Sequence, residues 1–126
     1  MKILLLEPDK VLASTYRDAL MQAGHKVVMC ATAQAAIFAA DEQIPDVIIT
    51  ELQLTGHSGI EFLYELRSYD EWTQLPVIIV TNVPAGEFAD SWGLLRDQLG
   101  VHNYHYKPLT SLRTLLRSVA SLSPAL

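Results

Sequence analysis

Short apolar runs alternate along the chain with stretches in which apolar residues recur every three or four positions. KILLLE (2–7), KVVMC (26–30), DVIIT (46–50) and LPVIIVT (75–81) are runs of strand length, and VHNYHY (101–106) is a weaker fifth. Between the first two, Leu12, Tyr16, Ala19, Leu20 and Ala23 keep helical spacing, and Gly24 closes the helix. Thr32 is placed to N-cap an Ala-rich helix that runs through Asp41, and Ser58 to cap one carrying Ile60, Leu63 and Leu66. Pro84 suits the first turn of a fourth helix, with Phe88, Trp92, Leu95 and Leu99 on one face and Gly100 at its end. Leu112, Leu115, Leu116 and Val119 mark a fifth. Five strands and five helices thus alternate strictly.

This alternation predicts an α/β fold. Strands 1, 3 and 4 are apolar on both faces, as in a parallel sheet covered on both sides. Right-handed crossovers then give a doubly wound sandwich. Such folds place their working site at the carboxyl ends of the strands, near the topological switch point. The rule brings one edge together: Glu7, Pro8 and Asp9 after strand 1, Glu51 after strand 3, Thr81 and Asn82 after strand 4, and Lys107 after strand 5. Two carboxylates, a hydroxyl and a lysine suit phosphate or divalent-metal chemistry. Carboxylates are hard oxygen ligands for Mg²⁺, and an aspartate can accept a phosphoryl group. Taken singly, each residue is equally well explained as a solvated helix cap.

Composition narrows the classes. At 126 residues and half apolar, the chain is expected to be one domain, 1–126, with a sizeable core. A net charge of -5 and scattered basic residues, Arg113 and Arg117 apart, argue against direct nucleic-acid binding. The single Cys30 cannot form an internal disulfide and reads as a small core residue. With no signal peptide and no run of membrane length, a cytoplasmic setting without membrane contact is expected. No G-x-S-x-G elbow, P-loop or G-x-G-x-x-G is present, and no enzyme activity is expected. His25 falls in a turn, and His102 and His105 alternate on a strand. His57 follows Glu51 closely enough to be weighed as a ligand beside Glu7, but imidazole would suit Zn²⁺ rather than Mg²⁺. Trp92 is expected in the core, and Trp72 as a lid over the start of strand 4.

ILLLEPDK, PDVIITELQLTGHSG, LPVIIVTN and YHYKPL, in this order and spacing, resemble the landmarks of response-regulator receiver domains. The resemblance covers the whole chain. It implies a flavodoxin-like (βα)5 fold with strand order 2-1-3-4-5. It also implies a part in two-component or phosphorelay signalling, with a sensor kinase or a downstream signalling protein as partner. In that family an aspartate ending strand 3 accepts the phosphoryl group, and two acids after strand 1 help hold Mg²⁺. A Thr or Ser after strand 4, an aromatic on strand 5 and a Lys after strand 5 respond to it. Thr81, Tyr104 and Lys107 match these last three.

The acids depart from the pattern. Glu51 stands at the phosphoacceptor position, and Pro8 replaces a metal-binding acid. Asp9 is one residue late and is expected to cap helix 1. The Mg²⁺ site, and ordinary phosphotransfer with it, is therefore expected to be lost, leaving no cofactor. Glutamate reaches about one C–C bond further than aspartate, and in-line attack is intolerant of displacements of ~1 Å. Two outcomes follow: Glu51 imitates the phosphorylated state and holds Thr81 and Tyr104 in an active arrangement, or it pairs with Lys107 in an inert one. Two other readings stand beside these. One is a phosphorylatable, Mg²⁺-dependent receiver using Asp9 and Glu51; the other is a small-molecule-binding flavodoxin-like module. The 25 residues between Thr81 and Lys107 are about one helical turn more than the resemblance implies, which predicts an altered partner surface. By resemblance, homodimerisation would use the fourth helix, fifth strand and fifth helix, with Arg113 and Arg117 available for cross-subunit pairs. No effector pattern precedes Leu126, so the chain is expected to be a stand-alone adaptor or a piece of a larger protein.

Overall fold

Five strands form one parallel sheet in the order β2-β1-β3-β4-β5 in the computed structural model, which describes residues 1–122. They are β1 (Lys2–Leu6), β2 (Lys26–Cys30), β3 (Val47–Thr50), β4 (Val77–Thr81) and β5 (Val101–Tyr106). The architecture is the flavodoxin-like one expected. Every residue of β3 and β4 is buried, which is why these strands read as unbroken apolar runs. Side chains alternate between the two faces of the sheet. Leu4, Leu6, Ile48 and Ile79 pack on one side with Ala36 and Ala40 of α2 (Ala33–Glu42) and Leu63 and Leu66 of α3 (Gly59–Arg67). Ile3, Leu5, Ile49 and Ile78 pack on the other with Leu20 of α1 (Lys10–Gln22) and Leu115 and Val119 of α4 (Leu112–Ala120).

The four α-helices start where short polar side chains satisfy free backbone N–H groups. Asp9, Thr32, Ser58 and Ser111 each accept from the first turn of the helix they precede. Among the described residues no helix is long and apolar enough to cross a membrane. The expected single domain 1–126 runs on into residues 123–126, which lie outside those described.

The fourth expected helix is not a regular α-helix. Ala85–Ser91 forms 3₁₀ turns that kink at Phe88 (φ -109°, ψ 15°), and Leu94–Gln98 widens into a π turn. The π turn closes through Leu99 N–H donating to the Leu94 carbonyl at 3.0 Å. Gly86, Asp90, Ser91 and Gly93 are weak helix formers, so local preference does not hold one pitch. The apolar anchors do fix the segment: Leu95 and Leu99 are each 1% exposed. Trp92 is half-buried, its ring edge-on to Tyr104 at 6.1 Å. Trp72, expected as a lid, lies instead in the core with Leu75 and Val77. It belongs to a 3₁₀ turn, Asp70–Trp72, and stacks at a tilt on Tyr69, 4.7 Å away.

Arg67 fastens the sheet at the amino ends of β4 and β5. Its Nε donates to the Leu99 carbonyl at 3.0 Å, Nη1 to Trp72 at 2.6 Å and Nη2 to Leu75 at 2.5 Å. Gly100 has φ +67°, and a Cβ there would stand 2.5 Å from Arg67 Nη2. The left-handed turn favours glycine at this point, and a side chain there would press on the guanidinium.

Candidate functional site

At the opposite edge, the ladders of the inner strands continue one residue past their ends. Glu7 N–H donates to the Cys30 carbonyl, and Glu51 N–H to the Leu6 carbonyl, each at 3.0 Å. This carries both carboxylates to the same rim. Lys107 arrives from β5 in a 3₁₀ turn, Lys107–Leu109, with Pro108 near its start. Thr110 closes that turn, its N–H donating to the Lys107 carbonyl at 3.2 Å and its hydroxyl to Tyr106 at 2.7 Å.

The three charges meet. Lys107 Nζ is 2.7 Å from Glu7 Oε1 and 2.8 Å from Glu51 Oε1, with side-chain exposures of 10%, 4% and 4% respectively. The other carboxylate oxygens accept from the backbone. Glu7 Oε2 takes the Asp9 N–H at 3.1 Å. Glu51 Oε2 takes those of Leu52 and Gln53 at 2.6 and 3.2 Å. Burial alone would raise the Glu51 pKa, but hydrogen bonds from Lys107, Thr81 and the Gln53 amide outweigh it and hold the carboxyl below its usual range. Burial would likewise lower Lys107, yet the hydrogen bonds and charges of Glu51 and Glu7 hold it above the ordinary lysine value.

The remaining residues of the predicted edge surround this triad. Asp9 does not enter it: its Oδ1 accepts from Val11 and Leu12 N–H, both at 3.0 Å, at the head of α1. Pro8 is half-buried, and its ring offers no oxygen. Asn82 is exposed and lines an open cleft of about 390 Å³ with Tyr16, Lys107 and Pro108. In the sequence Tyr16 is marked only as part of a helix face. Its phenol is raised by burial and feels the charges of Lys107, Glu7 and Glu51, which places it beside the triad. His57 is exposed and pairs with Glu61 at 3.4 Å rather than with Glu7 or Glu51. Among the described residues, no group of three or more His, Cys, Asp or Glu side chains is arranged to hold a metal ion.

Thr81 and Tyr104 converge on one residue. Thr81 Oγ1 accepts from Val83 N–H at 3.2 Å, and Tyr104 OH donates to the Val83 carbonyl at 2.7 Å. The Tyr104 ring leans on Phe88 at 5.9 Å and Trp92 at 6.1 Å. Burial, with the negative charges of Glu87 and Glu51, pushes its phenol up to about 12. A tyrosine with a raised folded-state pKa stabilises the fold below its ordinary value near 10, and that contribution is lost as pH rises towards 12. In an ultraviolet titration of the phenolates, Tyr104→Phe is therefore expected to remove the last component to ionise.

Gly59 holds the acid loop against α3. A Cβ at this position would lie 2.5 Å from Leu52 Cα and 2.8 Å from the Glu51 carbonyl, and Gly59 N–H already donates to Leu52 at 2.7 Å. These are backbone atoms that cannot turn aside. Gly59→Ala is expected to cost about 1–3 kcal/mol by overpacking. A thermal melt measures it, and wild-type stability would show that the loop has room.

The order of the strands and the residues gathered at this edge are those of a receiver module. The family model described as "Response regulator receiver domain" matches residues 3–119. The chain belongs to that family and is a receiver domain of two-component signalling. It is 33% identical over 79 residues to the KDP operon transcriptional regulatory protein KdpE of Escherichia coli (strain K12), covering 63% of this chain and 34% of the relative. It is 30% identical over 124 residues to the phosphate regulon transcriptional regulatory protein PhoB of Rhizobium meliloti (strain 1021), covering 98% of this chain and 53% of the relative. The chain thus spans from about a third to about half of the length of these two regulators. Among solved structures it superposes on the chemotaxis response regulator CheY4 of Vibrio cholerae with a TM-score of 0.83 at 21% identity, over 97% of this chain and 98% of that one. The receiver domain of the Francisella response regulator 1452 gives 0.82 at 26% identity, over 96% and 94%.

Proposed function

We propose that this receiver domain signals by protein contact and does not pass through a phosphorylated Glu51. One observation carries the reading: both rim carboxylates are engaged at both oxygens, each by Lys107 on one and by backbone N–H on the other. A carboxylate accepting an ammonium and two amides is a poor nucleophile for phosphorus. The residues present also do not fit Mg²⁺. That ion demands near-octahedral oxygen ligation at about 2.0–2.1 Å. Here Pro8 contributes nothing, Asp9 is committed to the α1 cap, and Glu7 and Glu51 already hold a cation. A receiver that used Asp9 and Glu51 would have to uncap α1 and break two ion pairs first.

In this reading the domain keeps one arrangement, with Thr81 and Tyr104 both fastened to Val83. The partner is a sensor kinase or a downstream signalling protein. The surface offered to it includes the shallow apolar groove of Ala85, Phe88, Ala89, Trp92 and Tyr104, whose floor is the irregular segment described above. Exposed Arg113 and Arg117 on α4 would serve that partner or a second copy of the chain. A cytoplasmic setting belongs to the same reading, since a chain with a single cysteine forms no internal disulfide and suits a reducing compartment. Incubation with Mg²⁺ and acetyl phosphate, followed by intact-mass measurement, tests it. No adduct is expected; a stoichiometric acyl phosphate on Glu51 would sink the proposal.

A further inference from the structure

We propose that Lys107 is the resident cation of this rim: its ammonium fills the space between Glu7 and Glu51 and keeps divalent ions out. The inference rests on the reading above and says how the site is held. Two inward carboxylates on adjacent strands, each 4% exposed, would repel one another strongly if nothing positive stood between them. The ammonium supplies that charge from within the chain. It lies nearly equidistant from Glu7 Oε1 and Glu51 Oε1, at 2.7 and 2.8 Å. The backbone supports the same division of labour. The Asp9, Leu52 and Gln53 amides take the outer oxygens, so the inner pair point at Lys107.

The arrangement is built, not accidental. Pro108 and the Thr110 hydrogen bonds fix the backbone turn that delivers Lys107, and its two carboxylate contacts hold the ammonium at the end of the side chain. A divalent ion entering between the two inner oxygens would have to expel a charge already in contact with both. The rim is thus closed to metal by occupation as well as by the lack of a third ligand at Pro8.

Removing the ammonium should open the site. Mn²⁺ alone is the probe, read by loss of its free electron-paramagnetic signal on the full chain, with no phosphodonor present. The wild type is expected to bind Mn²⁺ at least about tenfold more weakly than Lys107→Ala, the scale on which neighbours of a metal site alter affinity. Adding Glu7→Gln to Lys107→Ala should abolish the gain. A measurement on the wild type stands even if the variant folds poorly: the Lys107 ammonium resonance in nitrogen-15 spectra should keep its intensity as Mn²⁺ is added. Selective bleaching of that resonance, or a Lys107→Ala protein that gains no affinity, would overturn the inference. An acyl phosphate formed by a wild type that binds Mn²⁺ this weakly would instead remove the reading in the previous section and spare this one.

Discussion

Lys107→Met is expected to lower the thermal midpoint by about 10–15 °C, corresponding to about 3–5 kcal/mol. The loss comes less from the two ion pairs than from what is left behind. Glu7 and Glu51 would face each other, buried and uncompensated, and one of them would have to take up a proton. Replacing all three charges together, with Glu7→Gln and Glu51→Gln added to Lys107→Met, is expected to recover much of the loss, because a buried ion pair often does no better than neutral groups of similar shape. A triple variant as unstable as the single one would mean that the pairs themselves hold the rim. The pH dependence follows from the directions of the shifts. Glu51 is depressed, so its contribution is present above the ordinary glutamate value near about 4.3 and is lost as pH falls through its folded-state value. Lys107 is raised, so its contribution is present below the ordinary lysine value near about 10.4 and is lost as pH rises through its folded-state value. In a set of melts across pH, Lys107→Met should remove the alkaline flank and reverse the acid one, because the carboxyl left buried without its cation binds a proton more tightly in the folded state and its contribution is lost as pH rises.

Arg67→Met is expected to cost about 3–4 kcal/mol in urea denaturation. Hydrogen bonds to charged groups contribute about 1.5–3 kcal/mol each, and three carbonyls would lose the guanidinium at once, only that of Trp72 keeping another partner, Leu75 N–H at 3.3 Å. Arg67→Lys should recover only a part of this, because a single ammonium cannot reproduce a planar fork that reaches three acceptors. Burial draws the guanidinium pKa down, yet arginine stays charged across the usable pH range, so this clamp should be indifferent to pH. A pH-dependent Arg67→Met deficit would point to another partner.

The frame of the molecule was legible because its strands are buried on both faces. VIIT and VIIVT admit few alternatives, and the strand-end rule placed Glu7, Glu51, Thr81 and Lys107 on one rim before any contact was known. Four things escaped. The Phe88, Trp92, Leu95 and Leu99 spacing mimics a helix, but it records only which side chains must turn inward; two glycines and two short polar residues leave the backbone free to meet that demand with uneven turns. Arg67 gives no signal in the sequence, because its partners are carbonyls, which every residue carries. Tyr16 was legible as apolar periodicity and not as a neighbour of charge, since its place beside Lys107 depends on α1 lying across the rim. The pairing of Lys107 with Glu7 as well as Glu51 belongs to this class too: spacing along strands gives the edge, and only the turn at Pro108 gives the distance.

The link from Lys107 to Glu51 joins positions 56 residues apart, and the one to Glu7 spans further still. Such a link is expected to close late, once β1, β3 and β5 have taken their places and other contacts have met the entropy of closure. Interactions absent from the folding barrier act on the rate of escape from the native state. The triad is therefore expected to work as a latch on lifetime: in stopped-flow measurements Lys107→Met should unfold many times faster than the wild type while refolding at nearly the same rate.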